Sequence, residues 1–205
     1  MILNRHFGDV ATSVTDMTYD PQKHHRRSVR LRNYDYSFPG AYYVTICVNH
    51  RKCLLGIVIN DEVILNGAGK MVEYWWNEIA RKFPLVDLDE HIVMPNHIHG
   101  IIKIVDRRHR EKELFHQGKS RDQISEALIH LPARCEALSE IIKWFKTMTT
   151  NAYINGVKEQ QWQHFNRHFW QMRYYEHVIK GLKEFLEIRR YMRLNPKRWS
   201  LNRKK

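Results

Sequence analysis

The sequence is poor in cysteine and contains no long apolar run. Its three cysteines are odd in number and form no Cys-x-x-Cys pair, which argues against a disulfide framework or a zinc knuckle. No apolar stretch approaches the roughly 20 residues that a transmembrane helix requires, and residues 1–20 lack the apolar segment of a secretory signal. We therefore expect a cytoplasmic protein, with no membrane as its partner.

Positive charge dominates the composition. The 205 residues include 34 Lys and Arg against 22 Asp and Glu, a net charge of +12, while 43% of the residues are hydrophobic. The hydrophobic content is enough for one folded domain, and the charge attracts polyanions through a long-range field. Nucleic acid is therefore the expected partner, and an association with the nucleoid is expected.

The basic residues cluster near both ends of the chain. Residues 1–30 contain few apolar pairs and are predicted to form a basic flexible arm, residues 31–199 the folded domain, and residues 200–205 a basic tail. Exposed cations at such ends commonly bind the nucleic-acid backbone. The residues expected to contact DNA phosphates are Arg26, Arg27, Arg30, Lys197 and Arg198.

Hydrophobic periodicity predicts strands and helices that are interspersed along the chain. The predicted strands are 41–48, 54–59, 62–65, 86–94, 97–105 and a strand-like stretch at 169–172, and the predicted helices are 67–83, 136–154 and 180–195. Residues 106–134 show no clean period and are predicted to be a loop with at most a short helix, and no element is predicted beyond residue 195. Because strict βαβ repetition is absent, we predict an α+β fold with an antiparallel sheet and helices packed on it.

His97-Ile98-His99 is the first candidate site. On a strand, His97 and His99 would point to the same face, where their imidazoles could chelate one divalent ion, while Ile98 would enter the core. Chance alone predicts about 0.8 His-x-His pairs in a chain of this composition. A pair of structural, half-exposed histidines therefore stays open as an alternative.

Tyr191 and Asn195 form the second candidate site. They are four residues apart on the last predicted helix, so they would lie one turn apart at the edge of its apolar stripe. The alternative is a tyrosine that covers the core edge and an asparagine that ends the helix before Pro196. The neighbouring Arg189, Arg190 and Arg193 would keep the local field positive.

Several segments together resemble one family. The resemblance is to the IS200/IS605-like (Y1, HUH) transposases, and within them to the REP-associated tyrosine transposases. It covers about residues 30–199, and the segments occur in the family's order. The matching segments are Tyr34-Asp35-Tyr36-Ser37 through Pro39-Gly40-Ala41-Tyr42-Tyr43-Val44-Thr45, Met94-Pro95-Asn96-His97-Ile98-His99-Gly100, Trp144-Phe145-Lys146-Thr147, Trp170-Gln171 through Tyr174-Tyr175-Glu176-His177, and Tyr191-Met192-Arg193-Leu194-Asn195-Pro196.

The resemblance implies a specific fold and chemistry. It implies an HUH, ferredoxin-like fold, in which residues 31–199 are the catalytic domain, and a site between a four- or five-stranded sheet and the C-terminal helix. Tyr191 would be the nucleophile, and His97, His99 and Asn195 would bind Mg²⁺ or Mn²⁺. The implied function is a transposase and single-strand DNA endonuclease that cleaves and joins DNA through a covalent 5′-phosphotyrosine. Its partner would be single-stranded or hairpin DNA, bound by a monomer or a homodimer.

Three alternatives remain open at this point. The first is a non-catalytic protein of the same fold that binds DNA hairpins. The second places the nucleophile at Tyr174 or Tyr175, although neither has a ligand-type residue four positions later. The third is a zinc-dependent hydrolase, which would need Asp89 or Glu90 as its base.

Overall fold

The computed structural model describes residues 38–202 of the chain. The predictions for the arm at residues 1–30, including Arg26, Arg27 and Arg30, and for residues 203–205 lie outside the described residues. The described elements are β1 (Gly40–Cys47), a 3-10 turn (Asn49–Arg51), β2 (Gly56–Ile59), β3 (Glu62–Leu65), α1 (Gly67–Lys82), β4 (Val86–Met94), β5 (His97–Ile104), α2 (Arg107–His116), α3 (Arg121–Ile129), α4 (Leu138–Gln160), β6 (Tyr175–Ile179), α5 (Leu182–Arg193) and α6 (Asn195–Asn202).

The main sheet has four strands in the order β4-β5-β1-β6, and every neighbouring pair is antiparallel. The strands β2 and β3 form a separate hairpin. β-branched and aromatic residues dominate β1, as expected for a strand buried in the middle of a sheet. The predicted α+β fold with an antiparallel sheet and helices packed on it is confirmed.

One face of the sheet carries the large hydrophobic core. Alternate residues of β1, among them Tyr42 and Val44, are fully buried beneath α1 and α4, which contribute Trp76 and Phe145. The rings of Trp76 and Phe145 meet edge to face with centroids 5.5 Å apart. On β5, a Cβ atom at Gly100 would come within 2.2 Å of the Trp76 ring, so this close approach requires glycine.

The opposite face carries a smaller core under α5. Tyr43 of β1 and Ile101 of β5 pack there with Met192, which projects from α5. Side chains alternate along a strand, so the residues of β1 and β5 between the core positions of the first face all point to this second face. The second face leaves room for a cleft between the sheet and the last two helices, and polar side chains line that cleft.

The prediction of a loop over 106–134 is wrong, because this segment forms the two helices α2 and α3. Asp106 caps α2 by accepting a hydrogen bond from the backbone N–H of His109 at 2.6 Å. Ser120 and Gln123 form a capping box at the start of α3. α2 is polar on nearly all sides, so it lacks the apolar stripe by which a helix is recognised, whereas α3 is short and buries Ile124 alone. The caps of the two helices are the signals in the sequence that could have predicted them.

Two further boundaries differ from the prediction. The stretch 169–172 is not a strand and contributes only an isolated bridge between Val48 and Trp170, whereas the edge strand β6 follows at Tyr175–Ile179. The chain is also helical beyond residue 195, where α6 begins directly after the turn at Leu194. Among residues 38–202, no helix combines the length and the apolar content that crossing a membrane would need.

Candidate active site

His97 and His99 lie side by side on the second face of the sheet. Their Nε2 atoms are 3.0 Å apart, and the two residues are 6% and 5% exposed. Ile98 between them is fully buried in the large core, which is the alternation expected of a strand. The structure therefore brings together the two imidazoles that the sequence singled out.

The hydrogen bonds of Asn96 determine where the His97 ring carries its proton. The Asn96 amide nitrogen donates to the carbonyl of Arg51 at 3.0 Å, so its oxygen Oδ1 is left as an acceptor. His97 Nδ1 lies 2.6 Å from that oxygen and must donate to it. A neutral His97 therefore presents the lone pair of its Nε2 atom to the cleft.

His99 is held by two hydroxyl groups of β1. Its Nδ1 atom is 2.7 Å from the Tyr43 hydroxyl and 2.8 Å from the Thr45 hydroxyl. The Tyr43 ring also stacks on the imidazole at a centroid distance of 5.5 Å. Engagement of one ring nitrogen orients the other, and here it turns His99 Nε2 toward His97.

Both histidines are held neutral by their surroundings. Burial, followed by the charge of Arg51, lowers the pKa of His97 to about 4. Burial, followed by the charges of His97 and Arg51, lowers the pKa of His99 to about 3. Neutral imidazoles are the form that coordinates a metal ion, so both are ready ligands at neutral pH.

Asn195 supplies a third polar group at the same point. Its amide nitrogen is 3.2 Å from His99 Nε2, and the residue is buried. It is the first residue of α6 and does not continue α5, so the turn at Leu194 carries it over the histidines. Because an amide group can be turned by half a rotation, its oxygen can equally face the imidazoles.

Two neutral imidazoles and one carboxamide form a donor set that suits a divalent cation. Within residues 38–202, no group of three or more His, Cys, Asp or Glu side chains is arranged to hold a metal. A metal at this site would therefore rely on the amide of Asn195 as its third protein ligand.

Tyr191 lies at the open side of this group. It is 38% exposed, and its ring meets His99 edge-on at a centroid distance of 5.6 Å and Tyr43 at 6.4 Å. The guanidinium of Arg198 lies 5.1 Å from the centre of the Tyr191 ring. Arg198 was expected to contact DNA, and the structure places it beside the candidate nucleophile, while Lys197 is exposed on the same helix.

Two of the three arginines that were expected to keep a positive field around Tyr191 are paired with carboxylates. Arg189 donates to both carboxylate oxygens of Asp89, at 2.7 and 3.1 Å, and Arg193 pairs with Glu90. A β-bulge between Leu88 and His91 allows both acidic residues to meet α5, because consecutive residues of a regular strand would face opposite sides. Arg189 and Arg193 thus attach the tyrosine helix to the sheet, and the positive field around Tyr191 stays a prediction.

Asp89 gives this attachment a defined pH dependence. Burial acts to raise its pKa, but hydrogen bonds from Arg189 and Lys103 outweigh that effect and lower the pKa to about 2. A carboxyl whose pKa is depressed by folding stabilises the protein above its unfolded pKa of about 3.9, and this contribution is lost as the pH falls toward 2.

We therefore expect Asp89→Asn to lower the melting temperature most above about pH 4, with the difference from the wild type shrinking as the pH falls toward 2. Thermal denaturation of both proteins across this range measures the effect. Glu187→Gln, which removes an exposed carboxylate of α5, is the control and should show no comparable difference. A destabilisation by Asp89→Asn that is constant with pH would contradict the ion-pair attachment.

The structure adds site residues that the sequence did not single out. Tyr43 and Thr45 are two apart on β1, and pairing of β1 with the histidine strand would have revealed them. Arg51 lines the cleft from a loop in which both His50 and Arg51 have left-handed φ angles, of 53° and 51°. Nothing in a linear pattern predicts such a loop, because non-glycine residues adopt this conformation only when the surrounding structure holds them.

The cleft around these residues has a volume of about 1310 Å³ and is open to solvent. The Tyr175 ring also reaches it, but it packs against Tyr43, at 6.1 Å, and has no described ring contact with either histidine. The two carboxylates that a zinc hydrolase would need, Asp89 and Glu90, are engaged by Arg189 and Arg193. The geometry therefore favours neither a nucleophile at Tyr175 nor a zinc hydrolase with Asp89 or Glu90 as its base.

Comparison with known proteins supports the fold. No protein-family model matches the chain. An uncharacterized protein of Haemophilus influenzae is 34% identical over 186 residues, which cover 88% of this chain and 93% of that protein.

The solved structure of a REP-associated tyrosine transposase bound to a REP hairpin superposes with a TM-score of 0.51. It is 19% identical, over 82% of this chain and 73% of that one. Identity at this level speaks for the fold and not for the chemistry. The chain therefore belongs to one family with the Haemophilus influenzae protein, and it shares its fold with the REP-associated tyrosine transposase.

Proposed function

We propose that this protein is a transposase-type endonuclease that cleaves and joins single-stranded DNA through a covalent bond to Tyr191. One observation carries the proposal: the Nε2 atoms of His97 and His99 lie 3.0 Å apart, and the ring of Tyr191 packs against His99. A pair of oriented imidazoles with an exposed tyrosine beside them suits the attack of a phenol on a phosphate that those imidazoles help to hold.

The proposed metal site consists of His97, His99 and Asn195, with Mg²⁺ or Mn²⁺ as the cofactor. The bound ion would draw charge from a non-bridging oxygen of the phosphodiester, which otherwise repels a nucleophile. Tyr43 and Thr45 orient His99, and Asn96 orients His97, so the Nε2 atoms of both imidazoles already point into the cleft. Zn²⁺ stays an alternative, because imidazole nitrogens also suit it.

Tyr191 performs the covalent step. Its phenol oxygen loses a proton to solvent and forms a bond to phosphorus, while the bond from phosphorus to the 3′ oxygen breaks and that oxygen leaves as a hydroxyl. The phosphate at the 5′ end of the downstream fragment stays attached to the tyrosine. A free 3′-OH can later attack the same phosphorus and release Tyr191, which joins strands without ATP because one phosphoester bond replaces another.

Charge and the structural likeness suggest the substrate. The net charge of +12 favours a polyanion, and the transposase of similar fold was solved with a REP hairpin. We propose single-stranded DNA beside a hairpin as the substrate of this chain. The site needs only one chain, because Tyr191, both histidines and Asn195 of the same chain lie together. A monomer can therefore form it. Measurement of the mass in solution distinguishes a monomer from a homodimer.

The test is incubation of the purified protein with end-labelled single-stranded hairpin DNA and Mn²⁺, followed by denaturing electrophoresis. We expect a protein–DNA adduct that survives denaturation and disappears when the metal is chelated. Binding without any adduct would support the alternative of a non-catalytic hairpin-binding protein. Cleavage that yields only free ends would instead indicate a nuclease that uses water.

A further inference from the structure

A second groove lies next to the catalytic cleft, between α4 and the segment 167–174, with a volume of about 540 Å³. Its lining includes Lys143, Lys146 and Arg167, and no Asp or Glu stands among its described lining residues. Glu140 lies 3.6 Å from Lys143, but both side chains are mostly exposed, and such a pair holds a cation only weakly. The groove therefore offers a positive surface to an anion.

A ridge formed by residues 171–175 separates this groove from the catalytic cleft, and Met172 and Tyr174 line both. Lys146 holds the ridge by donating to the carbonyls of Gln171 and Met172 at 2.9 and 3.2 Å. The Gln171 N–H also donates to the carbonyl of Cys47 at 2.9 Å. The ridge backbone is thus anchored both to α4 and to the sheet.

Beside the exposed Arg173, the ridge carries two exposed side chains with large apolar surfaces. Met172 is 86% exposed and Tyr175 is 44% exposed. An anchored backbone that presents a thioether and an aromatic ring to solvent resembles the stacking platforms on which single-stranded nucleic acids lay their bases. Exposed apolar side chains of this kind, at the rim of a functional cleft, mark a contact surface.

The lining of the catalytic cleft carries charges of both signs. Glu184 and Glu187 come from α5 and Glu176 from β6, whereas Arg51 comes from the loop after β1 and Arg173 from the ridge itself. Lys146 of the groove lies directly beside the ridge that carries Arg173, because it donates to the carbonyls of Gln171 and Met172. A strand that leaves the cleft toward the ridge remains in contact with positive charge.

We propose that one single-stranded flank of the DNA passes over the ridge 171–175 and continues in the groove along α4. Lys143 and Arg167 bind its phosphates there, and Met172 and Tyr175 contact its bases. This inference rests on the proposed function and adds the path of the substrate outside the catalytic cleft. It predicts that affinity depends on the length of the unpaired flank.

The experiment measures DNA binding by fluorescence anisotropy in the Tyr191→Phe background, which keeps the equilibrium free of the covalent step. The test variant carries Lys143→Glu and Arg167→Glu, and the control carries Lys70→Glu and Lys82→Glu, an equal charge change at exposed positions of α1. The probes are hairpins with flanks of about 2 or about 10 nucleotides, on the 5′ or on the 3′ side.

For the long flank on one side, we expect the groove variant to bind about tenfold or more weakly than the control. Two lost phosphate contacts should reduce the slope of log affinity against log salt by about 1.4, at about 0.7 for each contact with a single strand. For the short flanks, both variants should bind equally. The side on which the loss occurs identifies the strand that crosses the ridge.

Met172→Ser with Tyr175→Ser should weaken binding of the long flank without changing the salt slope, because stacking involves no counterion release. Equal losses in the groove variant and its control, or a loss that does not depend on flank length, would overturn the path while leaving the proposed function intact. Absence of any DNA binding by the parent protein would overturn both. Thermal denaturation of each variant separates a binding loss from unfolding.

Discussion

Tyr191→Phe is expected to reduce covalent adduct formation by at least about 1000-fold, because removing a nucleophile leaves only positioning and charge effects to act on the phosphate. The substitution removes one oxygen and keeps the ring. The contacts of that ring with His99, Tyr43 and Arg198 involve its faces and edges and should persist. Metal binding, DNA affinity and the melting temperature should therefore stay close to those of the wild type.

Tyr175→Phe is the matched control for this experiment, because Tyr175 is an equally exposed tyrosine that lines the same cleft. The Tyr175 ring packs on Tyr43 and has no described contact with either histidine. Loss of the Tyr175 hydroxyl should therefore leave most of the adduct formation intact. Tryptic peptide mapping should find the nucleotide on the fragment 191–193. A nucleotide label on Tyr174 or Tyr175 would refute the assignment of Tyr191 as the nucleophile. It would still support cleavage through a covalent phosphotyrosine.

Replacing His97 and His99 together with alanine is expected to abolish cleavage and to weaken Mn²⁺ binding. Each neutral imidazole places its Nε2 atom at one point, so the double variant removes two of the three proposed ligands. The loss in metal affinity should exceed the roughly 10- to 100-fold effect of removing a residue that merely supports a ligand. Affinity for DNA measured without metal should change far less.

The controls for the histidine experiment separate metal loss from misfolding. His177 also lines the cleft but is engaged by Glu184 at 2.6 Å, so His177→Ala should keep Mn²⁺ binding. His97→Gln and His99→Gln preserve most of the buried volume and should melt near the wild type while binding Mn²⁺ poorly. Wild-type cleavage by the double alanine variant would remove the metal hypothesis.

These predictions depend on the attachment of α5 to the sheet. The pairs Arg189–Asp89 and Arg193–Glu90 join the tyrosine helix to β4 of the same chain. Orientation of a nucleophile within a fraction of an ångström governs the rate of attack, so a loosened helix would slow cleavage even with Tyr191 present. Weakening this attachment through Asp89→Asn should therefore lower the cleavage rate more than it lowers DNA affinity.

Local sequence patterns determined much of the framework. The alternation in β1 and β5 and the apolar spacing of α1, α4 and α5 arise from contacts between near neighbours, so they can be derived from the order of residues. The same alternation placed His97 and His99 on one face with Ile98 in the core. The polar helix α2 was not predicted because it buries no apolar stripe, and α3 was not predicted because it is short and buries only Ile124. β6 was not predicted because an edge strand is specified by its partner as much as by its own residues.

The chemistry of the site was decided by tertiary structure. The sequence spacing placed Tyr191 and Asn195 on one helix, whereas the chain turns at Leu194 and presents Asn195 from a new helix. Only the pairing of β1 with β5 brings the hydroxyls of Tyr43 and Thr45 to His99, and only the bulge in β4 lets consecutive carboxylates meet the arginines of α5. Contacts between residues 50 to 100 positions apart depend on how the whole chain packs. Burial keeps both histidines neutral, and burial exists only after that packing is complete.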